Sequence, residues 1–206
     1  MSVKVKICGI RTLEAAMTGI KAGADFLGFN FVASSKRYTD PLQAKEIIST
    51  FSSTVKIVGV FKDEGMGNIK KLIDFLKLDF VQLHGSESPS YGQLTQYAGV
   101  IKSLSLPFDF SSKKVSAEMS KYNVDYFLLD REIQGEGIPI NGYKIRELSR
   151  QYPVFLAGGL TSENVGMAIK IAKPFGVDVA GGIETEGRED LNKIREFIHM
   201  AKGIYG

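Results

Sequence analysis

The sequence contains very few of the residues that bind metals or form disulfides. Among its 206 residues there is one cysteine, Cys8, and there are two histidines, His84 and His199. A single cysteine excludes an internal disulfide and any paired-cysteine metal or redox motif, and it favours a reducing, cytoplasmic location. Two histidines exclude a zinc centre of three histidines. A carboxylate-rich metal site stays open but no motif supports one, so we predict no metal.

The chain also lacks the signatures of membrane and nucleic-acid partners. No stretch reaches the roughly 18 consecutive apolar residues that a membrane span requires. The first ten residues, MSVKVKICGI, lack the apolar segment of a secretory signal. The net charge is only +3, and no basic cluster accompanies it. We therefore expect neither a nucleic-acid partner nor a membrane partner.

The composition is that of a globular domain. Hydrophobic residues make up 44% and charged residues 24% of the chain, close to the globular averages of roughly 45–50% and 25%. A chain of this length buries roughly 70% of its unfolded surface. No linker or low-complexity segment divides the sequence, so we expect residues 1–206 to form a single domain.

Glycine, in contrast, is abundant, and most of the 22 glycines follow short apolar runs. Eight such runs begin about 25 residues apart, which leaves room for one strand, one helix and two short loops in each interval. The runs are VKVKICGI from Val3, FLGFNF from Phe26, VKIVGVF from Val55, FVQLHG from Phe80, VIKSLSL from Val100, YFLLD from Tyr126, VFLAGG from Val154 and VDVAGG from Val177.

Strands that are apolar on both faces and are joined by helices indicate a parallel sheet. Eight such units favour a closed (β/α)₈ barrel, the TIM barrel. The competing architecture is an open doubly wound sheet, which typically carries GxGxxG after its first strand. This chain has ICGIRT at that place.

The segments between the runs carry helix signals. Apolar residues recur at helical spacing from Ile69 to Leu76. Asp40 before Pro41 and Ser88 before Pro89 are typical of helix starts. The fifth helix, from Ser111 to Lys121, has few apolar positions, and we expect it to be short or irregular.

In a (β/α)₈ barrel the active site lies at the carboxyl ends of the strands. Four side chains there are candidates for chemistry: Cys8, Arg37, His84 and Asp130. Each also has a structural interpretation: the thiol as a small buried hydrophobe, the histidine as a structural residue, the aspartate as a turn cap, and the arginine as a solvated loop charge. A carboxylate directly after four apolar residues must nevertheless be solvated, paired or used.

Two glycine pairs close the last two strands, Gly158–Gly159 and Gly181–Gly182. Many barrels bind a phosphate at this position through backbone N–H groups, because glycine lets an anion approach the main chain. Tight packing of strand against loop also requires glycine. We predict a phosphate site at these four residues, and a second anion, a carboxylate, at the planar guanidinium of Arg37.

Several short motifs occur in order on successive units of the predicted barrel. They are KICGI around Cys8, GFNF followed by SKR and Pro41, GVF at Gly59–Phe61, QLHG at Gln82–Gly85, LLD ending at Asp130, AGGL at Ala157–Leu160 and GVDV at Gly176–Val179. Together they resemble the phosphoribosylanthranilate isomerase family of tryptophan biosynthesis over essentially the whole chain.

The resemblance implies a cofactor-independent Amadori rearrangement of a phosphorylated aminosugar. Asp130 would be the general acid that opens the furanose ring to a Schiff base, and Cys8 the general base that takes the proton from sugar C2. Arg37 would hold the anthranilate carboxylate, and His84 would line the site. The chain departs from the family at Ala180, where serine is common, so phosphate contacts there would rest on the backbone.

Further expectations concern assembly and a loop. We expect a small-molecule substrate and either a monomer or a homodimer. In the segment after Asp130, Glu136 separates Gly135 from Gly137, and these glycines would permit a loop that closes over the site.

Three alternatives stay open. Another phosphosugar isomerase, such as the histidine-pathway enzyme, performs the same rearrangement with two aspartates, whereas this chain pairs Cys8 with Asp130. A metal-dependent pentose-phosphate epimerase is disfavoured by the scarcity of histidine. A non-catalytic phosphate-ligand binder would not need both Cys8 and Asp130.

Overall fold

The structure is a computed structural model that describes residues 2–50, 55–131 and 141–203. Eight parallel strands pair in chain order, and β8 pairs with β1, so the barrel is closed and the predicted (β/α)₈ fold is confirmed. The strands are β1 Lys4–Cys8, β2 Phe26–Asn30, β3 Lys56–Phe61, β4 Phe80–Leu83, β5 Gly99–Leu106, β6 Tyr126–Arg131, β7 Val154–Leu156 and β8 Gly176–Val179.

Helices connect these strands around the outside of the barrel. A short hairpin of β9 (Glu184–Thr185) and β10 (Arg188–Glu189) precedes the last helix. The α-helices are α1 Leu13–Ala22, α2 Pro41–Ser49, α3 Met66–Leu76, α4 Ser112–Met119, α5 Gly142–Ser149, α6 Val165–Ala172 and α7 Leu191–Lys202. In the part of the chain that the structure describes, no helix is both long and apolar enough to cross a membrane.

The irregular connection is the fourth, where we predicted a helix starting at Ser88 and Pro89. The segment Pro89–Gln96 is a 3₁₀-helix, in which only Gly92 and Leu94 are buried. Two buried residues, one of which is a glycine, would give an α-helix little apolar surface with which to pack. The fifth connection is short, as predicted, because α4 has eight residues, but it is a regular α-helix capped by Ser111.

The amino-terminal end of the barrel repeats one structural feature before three strands, β2, β4 and β6. An aspartate precedes an aromatic residue, and its carboxylate accepts a hydrogen bond from the backbone N–H of the preceding strand at 2.8–2.9 Å. The aspartates are Asp25, Asp79 and Asp125, and their donors are Val5, Ile57 and Val100. Each aspartate therefore ties two neighbouring strands together.

The aromatic residues of this feature fill the lower end of the barrel. Phe26 packs edge-on against Phe155 and Phe80 with ring centroids 5.2 and 5.6 Å apart. Tyr126 stacks on Phe175 at 4.7 Å. These rings pack against one another at this end, and the two cavities that contain the predicted site residues lie at the opposite end, where the strands terminate.

Candidate active site

Two adjoining cavities lie at the carboxyl ends of the strands. One, of about 270 Å³, is lined by Cys8, His84 and Asp130. The other, of about 450 Å³, is lined by all four glycines of the predicted phosphate site. Arg37, Asp130, Asp178 and Ala180 border both cavities. The structure therefore brings every predicted site residue to one continuous recess.

Cys8 is the last residue of β1 and is partly exposed to the first cavity. Side chains alternate along a strand, so Lys6 faces the same side as Cys8. The Lys6 ammonium is fully buried and donates to Asp178 Oδ1 at 2.7 Å. On the adjacent strand, Gly28 leaves space: a Cβ there would lie 2.9 Å from Cys8 Sγ and 3.1 Å from Lys6 Nζ.

The electrostatic surroundings of the thiol act in opposite directions. Burial raises the pKa of the Cys8 thiol and is the largest effect, Lys6 lowers it through charge and a hydrogen bond, and Asp178 raises it. The net result is a pKa above the ordinary value. In the resting protein at neutral pH, Cys8 is therefore mainly a protonated thiol.

Asp130 and His84 lie on two other strands of the same cavity wall. Asp130 lies near the end of β6 and is 8% exposed. His84 follows β4, and its Nδ1 lies 3.2 Å from the side-chain amide nitrogen of Gln82. Burial lowers the pKa of His84, although the charges of Asp130 and Asp178 oppose this shift. His84 is therefore an uncharged imidazole at neutral pH.

Arg37 is held in place by a carboxylate from the loop after β8. Its Nε and Nη2 donate to Glu184 Oε1 and Oε2 at 2.8 and 2.7 Å. The loop that carries Arg37 is ordered by Ser35, whose Oγ accepts from the Arg37 N–H at 3.1 Å. The bidentate pair fixes the guanidinium plane and leaves Nη1 outside this contact.

The second cavity, called here the glycine cavity, forms where the loops after β7 and β8 approach each other closely. Gly158 and Gly159 have φ values of +91° and +71°, which side-chain-bearing residues rarely adopt. A Cβ on Gly182 would lie 1.9 Å from the Leu160 carbonyl oxygen. Tight packing and an accessible backbone thus occur together here, so the two interpretations of these glycines do not compete.

Sequence reasoning missed Gln82 and Asp178, which line the recess. It also missed Lys6 and Glu184, which pair with charged residues of the recess from behind its surface. A signal for two of them was present. Lys6 lies two residues before Cys8 in the apolar segment VKVKIC, and Asp178 interrupts the apolar strand GVDV. A charge inside a strand that is apolar on both faces requires a partner. Among the described residues, no three His, Cys, Asp or Glu side chains form a group suited to a metal ion.

Comparison with known proteins gives a consistent set of relatives. The chain is 38% identical over 208 residues to the N-(5'-phosphoribosyl)anthranilate isomerase of Geotalea daltonii, with 98% of each chain covered. It is 35% identical over 206 residues to the enzyme of that name from Caldanaerobacter subterraneus, covering 98% of this chain and 99% of the relative.

Solved structures agree with these relatives. The crystal structure of phosphoribosyl anthranilate isomerase from Thermotoga maritima matches with a TM-score of 0.89 at 34% identity, over 98% of this chain and 99% of that one. A structure of the enzyme in complex with reduced 1-(o-carboxyphenylamino)-1-deoxyribulose 5-phosphate matches with a TM-score of 0.87 at 33% identity and the same coverage. Residues 5–200 match the sequence profile of N-(5'phosphoribosyl)anthranilate (PRA) isomerase, and the chain belongs to that family.

Proposed function

We propose that the protein converts N-(5'-phosphoribosyl)anthranilate into 1-(2-carboxyphenylamino)-1-deoxyribulose 5-phosphate by an Amadori rearrangement without a cofactor. The observation that carries this proposal is the joint placement of Cys8 and Asp130 on one cavity that continues into the glycine cavity. An acid, a base and an anion site are the groups that an aldose-to-ketose rearrangement of a phosphorylated aminosugar needs.

Asp130 acts in the first step as general acid. Its proton goes to the furanose ring oxygen as the bond from C1 to that oxygen breaks. The lone pair of the anthranilate nitrogen forms the C1=N double bond, which leaves a cationic Schiff base and an Asp130 carboxylate. The Asp130 carboxyl group lies near the end of β6, is 8% exposed and lines both cavities, where a bound sugar would meet it.

Cys8 acts in the second step as general base. The thiolate takes the proton from C2, the C2–H electrons form the C1=C2 bond, and the iminium nitrogen regains its lone pair. The resulting enolamine tautomerises to the ketone. The pKa of Cys8 is raised in the resting site, and the positive charge of the Schiff base favours the thiolate and acidifies C2 at the moment when the base is needed.

The two ends of the substrate carry negative charge and need separate anchors. The glycine pairs Gly158–Gly159 and Gly181–Gly182 offer backbone N–H groups to the phosphate. Arg37, oriented by Glu184, offers its remaining donors to the anthranilate carboxylate. His84 lines the cavity between them as a neutral side chain. Fixing both ends places C2 and the ring oxygen at the two proton-transfer groups.

The proposed reaction also bears on the partners and the cellular location of the protein. The substrate is a small phosphorylated aminosugar, so no nucleic-acid or membrane partner is required. A thiol that must stay reduced suits the cytoplasm. The assembly is a monomer or a homodimer.

The test is a coupled assay with freshly generated phosphoribosylanthranilate, followed by loss of its fluorescence. We expect turnover by the wild type, and a loss of about 10²–10⁴-fold in kcat for Cys8→Ala and for Asp130→Asn. The matched control is His199→Ala on the exposed face of α7, which should keep full activity.

Near-normal activity in either active-site variant would remove that residue from the mechanism. The same enzyme should not turn over the aminoaldose substrate of the histidine pathway. Turnover of that substrate alone would favour the alternative isomerase.

A further inference from the structure

A lysine lies inside the barrel directly beneath the catalytic thiol. Lys6 is among the largest side chains that are fully buried, and its ammonium forms a salt bridge with Asp178 at 2.7 Å. The β1–β8 register pairs Lys6 with Asp178 across the seam that closes the barrel. The β1–β2 register pairs Cys8 with Gly28, whose missing side chain leaves the space that Sγ and Nζ share.

This ion pair is not explained by stability. Transfer of two charges into a protein interior is costly, and an apolar pair of similar volume is often as stable or more stable. Neighbouring positions of the same barrel interior are filled in this apolar way, by Val58, Ile101 and Leu128. A charged pair beneath the one cysteine of the chain therefore calls for a role in the chemistry of that cysteine.

We propose that Lys6 is a positioning residue which, anchored by Asp178, stabilises the thiolate of Cys8 and so sets the fraction of molecules able to accept the C2 proton. The proposal rests on the proposed function, because it assigns Lys6 to the base of that reaction. Lys6 does not reach the cavity surface, so it acts on the substrate only through Cys8.

The charges around the thiol support the role proposed for Lys6. Burial lowers the pKa of Lys6, but the charge of Asp178 and its hydrogen bond to the ammonium raise it, and the net pKa lies above the ordinary value, so the ammonium keeps its proton. Lys6 is the strongest of the groups that lower the pKa of Cys8, Arg37 from the loop after β2 adds a weaker effect in the same direction, and Asp178 on β8 acts against them. The other titratable groups that line the described part of this cavity are Lys62, His84 and Asp130.

Lys6 and Asp178 act on the thiol of Cys8 in opposite directions, so removing them should change the thiolate fraction with opposite signs. Because Cys8 is the only cysteine, thiolate absorbance near 240 nm and the pH dependence of iodoacetamide alkylation report on this one residue. Asp178→Asn keeps the ammonium and removes the opposing carboxylate, so the thiolate fraction at pH 7 should rise. The double variant Lys6→Met, Asp178→Asn removes both charges, and the thiolate fraction should fall about tenfold, the equivalent of one pKa unit.

The double variant is preferred to Lys6→Met alone, which would leave a buried carboxylate without its partner and endanger folding. The matched control is Lys4→Met on the same strand, which breaks the 2.9 Å contact of Lys4 with Asp25 at the other end of the barrel. This control should titrate like the wild type. Circular dichroism of each variant establishes that it is folded.

Two results would overturn the proposal. One is a double variant that titrates like the wild type, and the other is a shift of the same sign in both Asp178→Asn and the double variant, which would indicate a packing effect. The thiol titration needs no substrate, whereas the proposed function is tested by wild-type turnover. In the active enzyme, the limb of the kcat/KM pH profile that belongs to the base should move with the titrated thiol, and a limb that stays in place would also overturn the proposal.

Discussion

At the scale of the residue, the recess is organised by pairs of opposite charge. Among the described residues there are two such pairs. Lys6, which lies beside Cys8, pairs with Asp178 on β8. Arg37, itself a predicted site residue, pairs with Glu184 in the segment after β8. Burial makes these contacts strong and their loss costly. The orientation of the two cations therefore depends on carboxylates to which the proposed mechanism assigns no proton transfer.

Glu184→Gln tests this dependence at Arg37. The substitution removes the charge that holds Nε and Nη2 at 2.8 and 2.7 Å. A guanidinium that is free to rotate no longer presents a fixed fork to the substrate carboxylate, so we expect KM to rise about tenfold, which corresponds to about 1.4 kcal/mol. Because Glu184 takes part in no proton transfer, kcat should change little.

Steady-state kinetics with the fluorescence assay measure both constants. Glu196→Gln, on the exposed surface of α7, is the matched control and should leave KM unchanged. An unchanged or lower KM in Glu184→Gln would show that Glu184 does not orient the substrate anchor.

At the scale of the element, Asp25 joins the first strand, the second strand and the last helix. Its carboxylate accepts from Lys4 Nζ and from the Val5 N–H at 2.9 Å each, and from Lys202 Nζ at the end of α7. Burial raises the pKa of Asp25, but these three hydrogen bonds together lower it below the ordinary value. The ionised carboxylate therefore stabilises the contact of the first two strands with the last helix.

Asp25→Asn should lower the free energy of unfolding by about 2 kcal/mol at pH 7, the typical worth of hydrogen bonds to a charged group. A lowered pKa in the folded state gives stability that is present above the unfolded pKa of about 3.9 and is lost as the pH falls through the folded value. The difference between wild type and variant should therefore shrink below about pH 4.

Urea unfolding across this pH range measures the difference. Asp74→Asn, on the exposed face of α3, is the matched control and should have little effect at any pH. A difference that stays constant down to pH 2 would contradict the role given to the Asp25 charge.

The helices and strands themselves were largely predictable. All eight apolar runs coincide with strands, and the apolar residues Ile69, Ile73 and Leu76 are buried on α3 as their spacing indicated. The fourth connection was less predictable, because Pro89 starts an α-helix and a 3₁₀-helix equally well.

The loop with Gly135 and Gly137 lies outside the described residues, so its closure stays a prediction, as does the single domain over 1–206.

At the scale of the whole molecule, the two ends of the barrel have different tasks. The aromatic end, with Phe26, Phe155 and Phe175, is packed and serves stability. The opposite end is polar and holds the recess. A ligand that binds there, and not to the unfolded chain, should stabilise the whole fold by mass action.

Inorganic phosphate is the simplest such ligand. At constant ionic strength, phosphate should raise the thermal midpoint of the wild type relative to chloride. The corresponding gain in the free energy of unfolding is about 2.7 kcal/mol when phosphate is present at 100 times its Kd. Gly158→Ala should lose this shift, because a side chain at φ +91° strains the loop that carries the backbone donors.

The matched control is Gly187→Ala, because Gly187 has φ +75° in the β9–β10 hairpin and no heavy atom lies within 4 Å of the place where a Cβ would be. It should carry a similar strain and keep the full response to phosphate. A full response in Gly158→Ala, or an equal loss in both variants, would contradict a phosphate site at these glycines.

The sequence by itself determined the strand and helix periods, and thereby the barrel and the end of it that carries Cys8, His84 and Asp130, because these depend on residues near each other in the chain. Only the tertiary structure decided which charges meet. Lys6 and Asp178 are 172 residues apart, and Arg37 and Glu184 are 147 apart. Their contacts arise from the register at which β8 closes onto β1 and from the loop that follows it, and neither is encoded in a local pattern.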